Sequence, residues 1–227
     1  MTSPPLNQTS PPLPLAAIKA MRPKQWAKNV FIFAALIFSL NFENPTAIYQ
    51  TLMALCSFCC ISSSGYIIND IRDIEVDRNH PKKQFRPLAS GALPVNIGYT
   101  QAALLFCLGM IFGYSISLKL LVVALAYFTT TMSYSLFFKN IVVLDVMFIA
   151  SGFIWRVVAG AVAINVAISP WLLTCTGFLA LFLGFNKRRG ELISMKDKNT
   201  RNNLKDYNIP MLQEFQAITT SGAIISY

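Results

Sequence analysis

The stretch TAIYQTLMALCSFCCISSSGYII, Thr46 to Ile68, carries no charged residue and runs straight into NDIRDIEVD, Asn69 to Asp77. An α-helix rises about 1.5 Å per residue, so a run of this length crosses a hydrocarbon core of about 30 Å. It reads as a membrane helix whose polar end emerges at one face. Similar apolar segments lie near 22–40, 94–114, 119–137, 141–164 and 168–186, and a seventh starts near Met211. Each is expected to be helical, because a lone segment in lipid must satisfy its own backbone hydrogen bonds. The fold class is therefore all-α, a polytopic membrane helix bundle. Composition agrees: 54% of the 227 residues are hydrophobic and 13% charged, where soluble domains have about a quarter charged.

Lys and Arg number 19 against 10 Asp and Glu, a net charge of +9. In a soluble domain that surplus would suggest nucleic acid. Here the cations sit between apolar runs, which favours a membrane with a basic cytoplasmic face, and no nucleic-acid partner is expected. If the segments alternate across the bilayer, 17 of the 19 cations fall on one side, only Lys119 falls on the other, and Arg156 lies within a span. This places the N-terminus and both long loops in the cytoplasm, with the plasma (inner) membrane as the expected location. Residues 1–16 are uncharged and hold five prolines, so they read as a disordered cytosolic lead-in to a membrane domain over 17–227. The five cysteines all lie in apolar stretches and read as neutral packing thiols, not as metal ligands or disulfides.

The chemistry concentrates between Tyr66 and Gly91. Asn69, Asp70, Asp73 and Asp77 fall at helical offsets of 0, 1, 4 and 8. A second helix continuing past Ile68 would gather them on one face, where they would repel one another without a cation among them. Such hard oxygen donors suit Mg²⁺, which commonly binds through one or two carboxylates plus substrate phosphates. His80-Pro81 should end that helix. Beyond it, Lys82, Lys83 and Arg86 offer positive charge for phosphate oxygens. Glu75 points off the acidic face, and His80, the only histidine, reads as a turn residue.

These residues resemble a known family. The NDxxDxxxD spacing of Asn69, Asp70, Asp73 and Asp77 is similar to the first aspartate-rich motif of the UbiA superfamily of intramembrane prenyltransferases. Four patches in order resemble one branch of it, the decaprenyl-phosphate phosphoribosyltransferases. They are RPKQWAKN at Arg22–Asn29, the stretch Asn69–Gly91, RVVAGA at Arg156–Ala161 and KRRGEL at Lys187–Leu192. The resemblance implies a nine-helix bundle around a central cavity open to the cytoplasm. About seven of those helices are expected here, the chain ending before the last two. It also implies Mg²⁺ held by Asn69, Asp70, Asp73 and Asp77, with Asp70, Asp73 and Asp77 catalytic. The expected reaction moves 5-phosphoribose from 5-phosphoribosyl-1-diphosphate to a polyprenyl phosphate, with the bilayer as the third partner. Phosphate contacts are expected from Lys83, Arg86, Lys187 and Arg188, and from Lys24 or Lys28.

One departure discriminates within the superfamily. Typical members carry a second aspartate-rich motif after the sixth helix, whereas this chain has Lys187, Arg188 and Arg189 with only scattered Glu191, Asp197 and Asp206. Gln84 also stands where the branch favours a cation. Two alternatives stay open: an isoprenoid transferase acting on an aromatic or other acceptor, and a non-catalytic polyprenyl-lipid-binding subunit. A homo-oligomer is compatible with either. Arg22, Lys24, Trp26 and Lys28 also read as an interfacial anchor. Asp145 and Arg156, eleven residues apart in the fifth span, share roughly one face and suggest either an ion pair or a substrate role. Tyr134, at the cytoplasmic end of the fourth span, is expected to line the cavity.

Overall fold

The computed structural model describes residues 12–194 and 207–227. Its helices are α1 (Leu13–Ala20), α2 (Phe33–Phe38), α3 (Pro45–Arg72), α4 (Ile74–Arg78) and α5 (Val95–Ile116). They continue as α6 (Leu118–Leu136), α7 (Leu144–Ala163), α8 (Pro170–Ser194) and α9 (Ile209–Ser226). A ten-residue 3-10 helix, Pro23–Ile32, joins α1 to α2, and no strand occurs among the described residues.

Four of these helices, α3, α5, α6 and α7, are long and apolar enough to cross a membrane. The expected sixth and seventh spans are present as α8 and α9, but the cations of α8 and the Gln and Thr residues of α9 keep them less apolar. The expected first span differs more. Over 22–40 the chain is not one α-helix but the 3-10 helix followed by the six residues of α2. Helix also begins at Leu13, inside the stretch expected as lead-in, because Ala16 and Ala20 pack with Ile67 and Ile71 of α3.

The longest helix, α3, is the centre of the bundle. Asn44 starts it by accepting hydrogen bonds from the amides of Thr46 (3.0 Å) and Ala47 (3.4 Å), with Pro45 preset at the first position. Its Ala54, Phe58 and Ile61 form one core with Ile32, Leu120, Tyr127 and Ala159. Against α5 the packing is close: a Cβ at Gly109 would lie 2.5 Å from the Ile61 side chain and 3.0 Å from the Ser57 carbonyl oxygen. Ser57 and Ser64 donate across this interface to the carbonyls of Gly109 (2.7 Å) and Ala102 (2.8 Å). Small residues and hydroxyls substitute for hydrophobic drive where lipid is the solvent. A third core of Val146, Phe185, Tyr207 and Leu212 joins α7, α8 and α9.

Candidate active site

The polar end of α3 forms the site. The helix breaks at Asp73 (φ −92°, ψ 12°) and resumes as α4. The four motif residues do not share one set of partners; they split into two adjacent stripes. Asp70 and Asp77, seven apart, turn toward the loop that follows, while Asn69 and Asp73, four apart, turn toward the end of α6.

On the first stripe both carboxylates are buried, at 3% and 2% exposure. They converge on Arg86, whose Nη1 lies 3.1 Å from Asp70 Oδ1 and 2.5 Å from Asp77 Oδ2. Arg22 donates to Asp70 from the other side, and Lys83 Nζ stands 3.9 Å from Asp77 Oδ1. On the second stripe Ser135 donates to Asn69 Oδ1, and Lys139 Nζ reaches Asp73 Oδ1 at 2.9 Å. Arg72 ties α3 to the carbonyl of Ser135 at 2.7 Å. Glu75 is exposed and pairs with Arg78, as its position off the acidic face suggests.

The loop that delivers Arg86 is held by short-range contacts. Arg78 Nε donates to the Ala89 carbonyl at 3.2 Å, and His80 Nδ1 accepts from the amides of Lys82 (3.1 Å) and Lys83 (3.3 Å). His80 is thus a turn residue. Desolvation, reinforced by the Lys83 charge, holds its pKa below the ordinary histidine value and favours the neutral ring that accepts these bonds.

Two buried carboxylates meeting at one cationic point, with oxygen donors only, suit a hard divalent ion that takes its remaining ligands from phosphate and water. Among the described residues no three acidic, histidine or cysteine side chains form a ready-made cage.

The remaining expected site residues divide. In the 3-10 helix, positions three apart share a face. Lys24 falls on the exposed stripe with Ala27 and Val30, and Lys28 on another, within electrostatic reach of Lys187, Arg156 and Arg22. Arg188 is not at the Asp70–Asp77 pair. It is 1% exposed and bridges Asp145 Oδ2 (2.7 Å) and Glu191 Oε2 (2.6 Å). Tyr207 completes this network by donating to Asp145 Oδ1 at 2.6 Å. Burial, and next this bond to Asp145, push the Tyr207 phenol above its ordinary pKa. Asp145 therefore pairs with Arg188 and not with Arg156. Tyr134 stacks on Phe148 near this network, with ring centroids 6.4 Å apart. Lys196, Lys198, Arg201 and Lys205 lie outside the described residues.

The sequence reading took Arg22 as an interfacial anchor and counted Lys139 only among the loop cations, and it did not single out Ser135, inside the fourth span; all three meet the motif residues here. Asn29 is another: its neighbour Lys28 drew attention, but the buried amide is the one that meets Arg156.

Residues 30–196 match the UbiA prenyltransferase family. The chain belongs to that family. This UbiA-family protein is 35% identical over 229 residues to the decaprenyl-phosphate phosphoribosyltransferase of Corynebacterium glutamicum, covering 97% of this chain and 69% of the relative. It is 32% identical over 216 residues to the protein of the same name from Mycolicibacterium smegmatis, covering 92% and 68%. Its fold is similar to a UbiA homolog from Archaeoglobus fulgidus bound to DMAPP and Mg²⁺, with a TM-score of 0.77 at 17% identity over 93% of this chain and 76% of that one. The protein is accordingly an integral membrane protein and a membrane-bound transferase.

Proposed function

We propose that this UbiA-family transferase moves 5-phosphoribose from 5-phosphoribosyl-1-diphosphate to a polyprenyl phosphate, releasing diphosphate. What carries the reading is similarity along almost the whole chain to relatives named decaprenyl-phosphate phosphoribosyltransferase. The charge pattern supports it: one carboxylate pair stands among cations, and the end of α8 carries Lys187, Arg188 and Arg189 where a second acidic motif would be expected.

Asp70 and Asp77, with Asn69 and Asp73 beside them, would hold Mg²⁺, and the bound ion supplies Lewis-acid stabilisation of the charge growing on the leaving diphosphate. Arg86 and Lys83, which stand at those carboxylates, would bind diphosphate oxygens. Arg22 stays on Asp70 and sets its orientation. Lys139 does the same for Asp73. Lys28 and Lys187 gather the lipid phosphate, while Lys24 meets headgroups along the exposed stripe. Arg188 serves the site through the Asp145 network, beside Tyr134 on the cavity wall. The lipid phosphate is already anionic, so its attack on the anomeric carbon needs no strong general base. Holding a soluble and a lipid substrate together at the membrane face lowers the entropic barrier. The distribution of Lys and Arg supports a site facing the cytoplasm of the plasma membrane.

The test offers the purified protein in lipid two labelled donors, 5-phosphoribosyl-1-diphosphate and a prenyl diphosphate, each with a polyprenyl phosphate and with an aromatic acceptor. Label entering the lipid only from the phosphoribosyl donor, and lost with EDTA, supports the proposal. Transfer of the isoprenoid to the aromatic acceptor would replace it.

A further inference from the structure

A ten-residue 3-10 helix is unusual, since its hydrogen-bond geometry is poor and runs beyond three or four residues are uncommon. In Pro23–Ile32 the three-residue repeat is visible in what each face touches. Trp26, Asn29 and Ile32 face the bundle: Trp26 Nε1 donates to Ser63 Oγ at 2.9 Å, and Asn29 and Ile32 are fully buried. Lys24, Ala27 and Val30 are exposed, and Lys28, exposed too, shares the remaining face with half-buried Gln25 and Phe31. At an α-helical pitch these three stripes would not exist, and Lys28 would shift round the axis relative to Trp26 and Asn29 by about 20° for each residue between them.

Helix α7 is what grips this segment. Arg156 is buried, and its guanidinium spends its donors on neutral groups: Nε on Asn29 Oδ1 (2.7 Å), Nη1 on the Gly152 carbonyl (2.6 Å) and Nη2 on Tyr127 OH (2.9 Å). The ring of Tyr127 also lies under its charge, 4.9 Å away. One turn on, Gly160 lets α7 close directly onto the segment's last carbonyl; a Cβ there would stand 1.9 Å from Ile32 O. Asn29 in turn donates to Cys59 of α3 at 3.2 Å. A buried cation in a membrane bundle with no carboxylate on it among the described residues is costly and calls for a role.

We propose that Arg156 is a positioning residue: by clamping Asn29 it holds Pro23–Ile32 at the 3-10 pitch that aims Lys28 at the phosphate of the lipid substrate. This rests on the phosphoribosyl-transfer reading for the identity of the lipid. The geometry separates two phosphate positions. Arg22 sits at Asp70, and Lys28 lies six residues further along a helix that rises about 2 Å per residue. That puts Lys28 about 12 Å deeper along the segment, on the side of a lipid-borne phosphate and away from a diphosphate at Asp70 and Asp77.

The test measures binding as well as turnover, using the full chain in nanodiscs with a polyprenyl phosphate, the matching neutral polyprenol and 5-phosphoribosyl-1-diphosphate. Arg156→Met, Arg156→Lys and Asn29→Ala are compared, the last keeping the Tyr127 and Gly152 contacts and so being the mildest for folding. Each is expected to weaken polyprenyl phosphate binding and raise its KM by about tenfold, the scale of one charge-assisted contact. Affinity for polyprenol and KM for the soluble donor should stay unchanged, and the Arg156→Met/Asn29→Ala double variant should be no worse than either single one. Wild-type affinity in Arg156→Lys would overturn the proposal, because a direct ligand needs only charge whereas the clamp needs the guanidinium fork. Equal loss of polyprenol binding would overturn it too, as general damage. If the wild-type protein binds the lipid phosphate but transfers no phosphoribose, the reaction fails; the same pattern of binding losses would still support the clamp.

Discussion

Replacing Arg188 with Met tests whether this cation is part of the scaffold or a free phosphate ligand. Asp145 is 0% exposed, and both its oxygens are committed, one to Arg188 and one to Tyr207. Without Arg188 the buried carboxylate loses its guanidinium partner, and Glu191 loses the same partner as well. Breaking a buried pair by removing one member costs about 3–5 kcal/mol, most of it the uncompensated charge left behind. At about 1.4 kcal/mol per tenfold, the folding equilibrium of Arg188→Met should fall by a factor of about a hundred to several thousand. Arg188→Met/Asp145→Met removes both charges and should recover most of that loss, a coupling of about 2 kcal/mol or more. The assay is reversible unfolding in mixed micelles, followed by circular dichroism for the wild type, both single variants and the double. A loss under about 1 kcal/mol in Arg188→Met, or simple additivity in the double, would refute the buried network.

Tyr207→Phe removes the donor to Asp145 and the acceptor of the Val143 amide, a residue held at φ 68°. It should cost about 1–3 kcal/mol in the same unfolding assay. Because the folded phenol titrates above its ordinary value, its contribution is present below about pH 10 and lost as pH rises through the alkaline range; Tyr207→Phe should flatten that alkaline slope. Gly160→Ala must push α7 off the Ile32 carbonyl, with an expected cost of about 1–3 kcal/mol from overpacking, read as a lower Tm. Asp77→Asn should keep the fold but lower phosphoribosyl transfer at least about a hundredfold, on the scale of losing one charge-stabilising group, and added Mg²⁺ should restore little of it.

The membrane bundle was legible because the run from Thr46 to Ile68 and its counterparts are set by bilayer thickness, which one chain displays. The acidic end of α3 was legible for a similar reason, since spacing alone gathers Asn69, Asp70, Asp73 and Asp77 on one face. Their division between two sets of partners was not, because it depends on residues far along the chain. Lys139 is 66 residues from Asp73, and Arg188 is 43 from Asp145; a single sequence does not pair charges over such distances. Of the two readings of Asp145 and Arg156, the ion pair between them fails for that reason: eleven residues along one helix suggested a shared face, while Arg188 supplied the nearer charge. The 3-10 helix was hidden because the apolar residues of 22–40 fit a helix of either pitch, and tertiary contacts at Asn29 and Gly160 select between them.

The most direct test of phosphoribosyl transfer is the mass of the lipid itself. Purified protein in lipid is incubated with 5-phosphoribosyl-1-diphosphate, Mg²⁺ and a polyprenyl phosphate of known length, and the lipid fraction is weighed by mass spectrometry alongside a diphosphate assay. The expected result is a new lipid heavier by one phosphoribosyl group, formed in step with diphosphate and absent with EDTA or in Asp77→Asn. A polyprenyl phosphate recovered unchanged, with no diphosphate released, would contradict it.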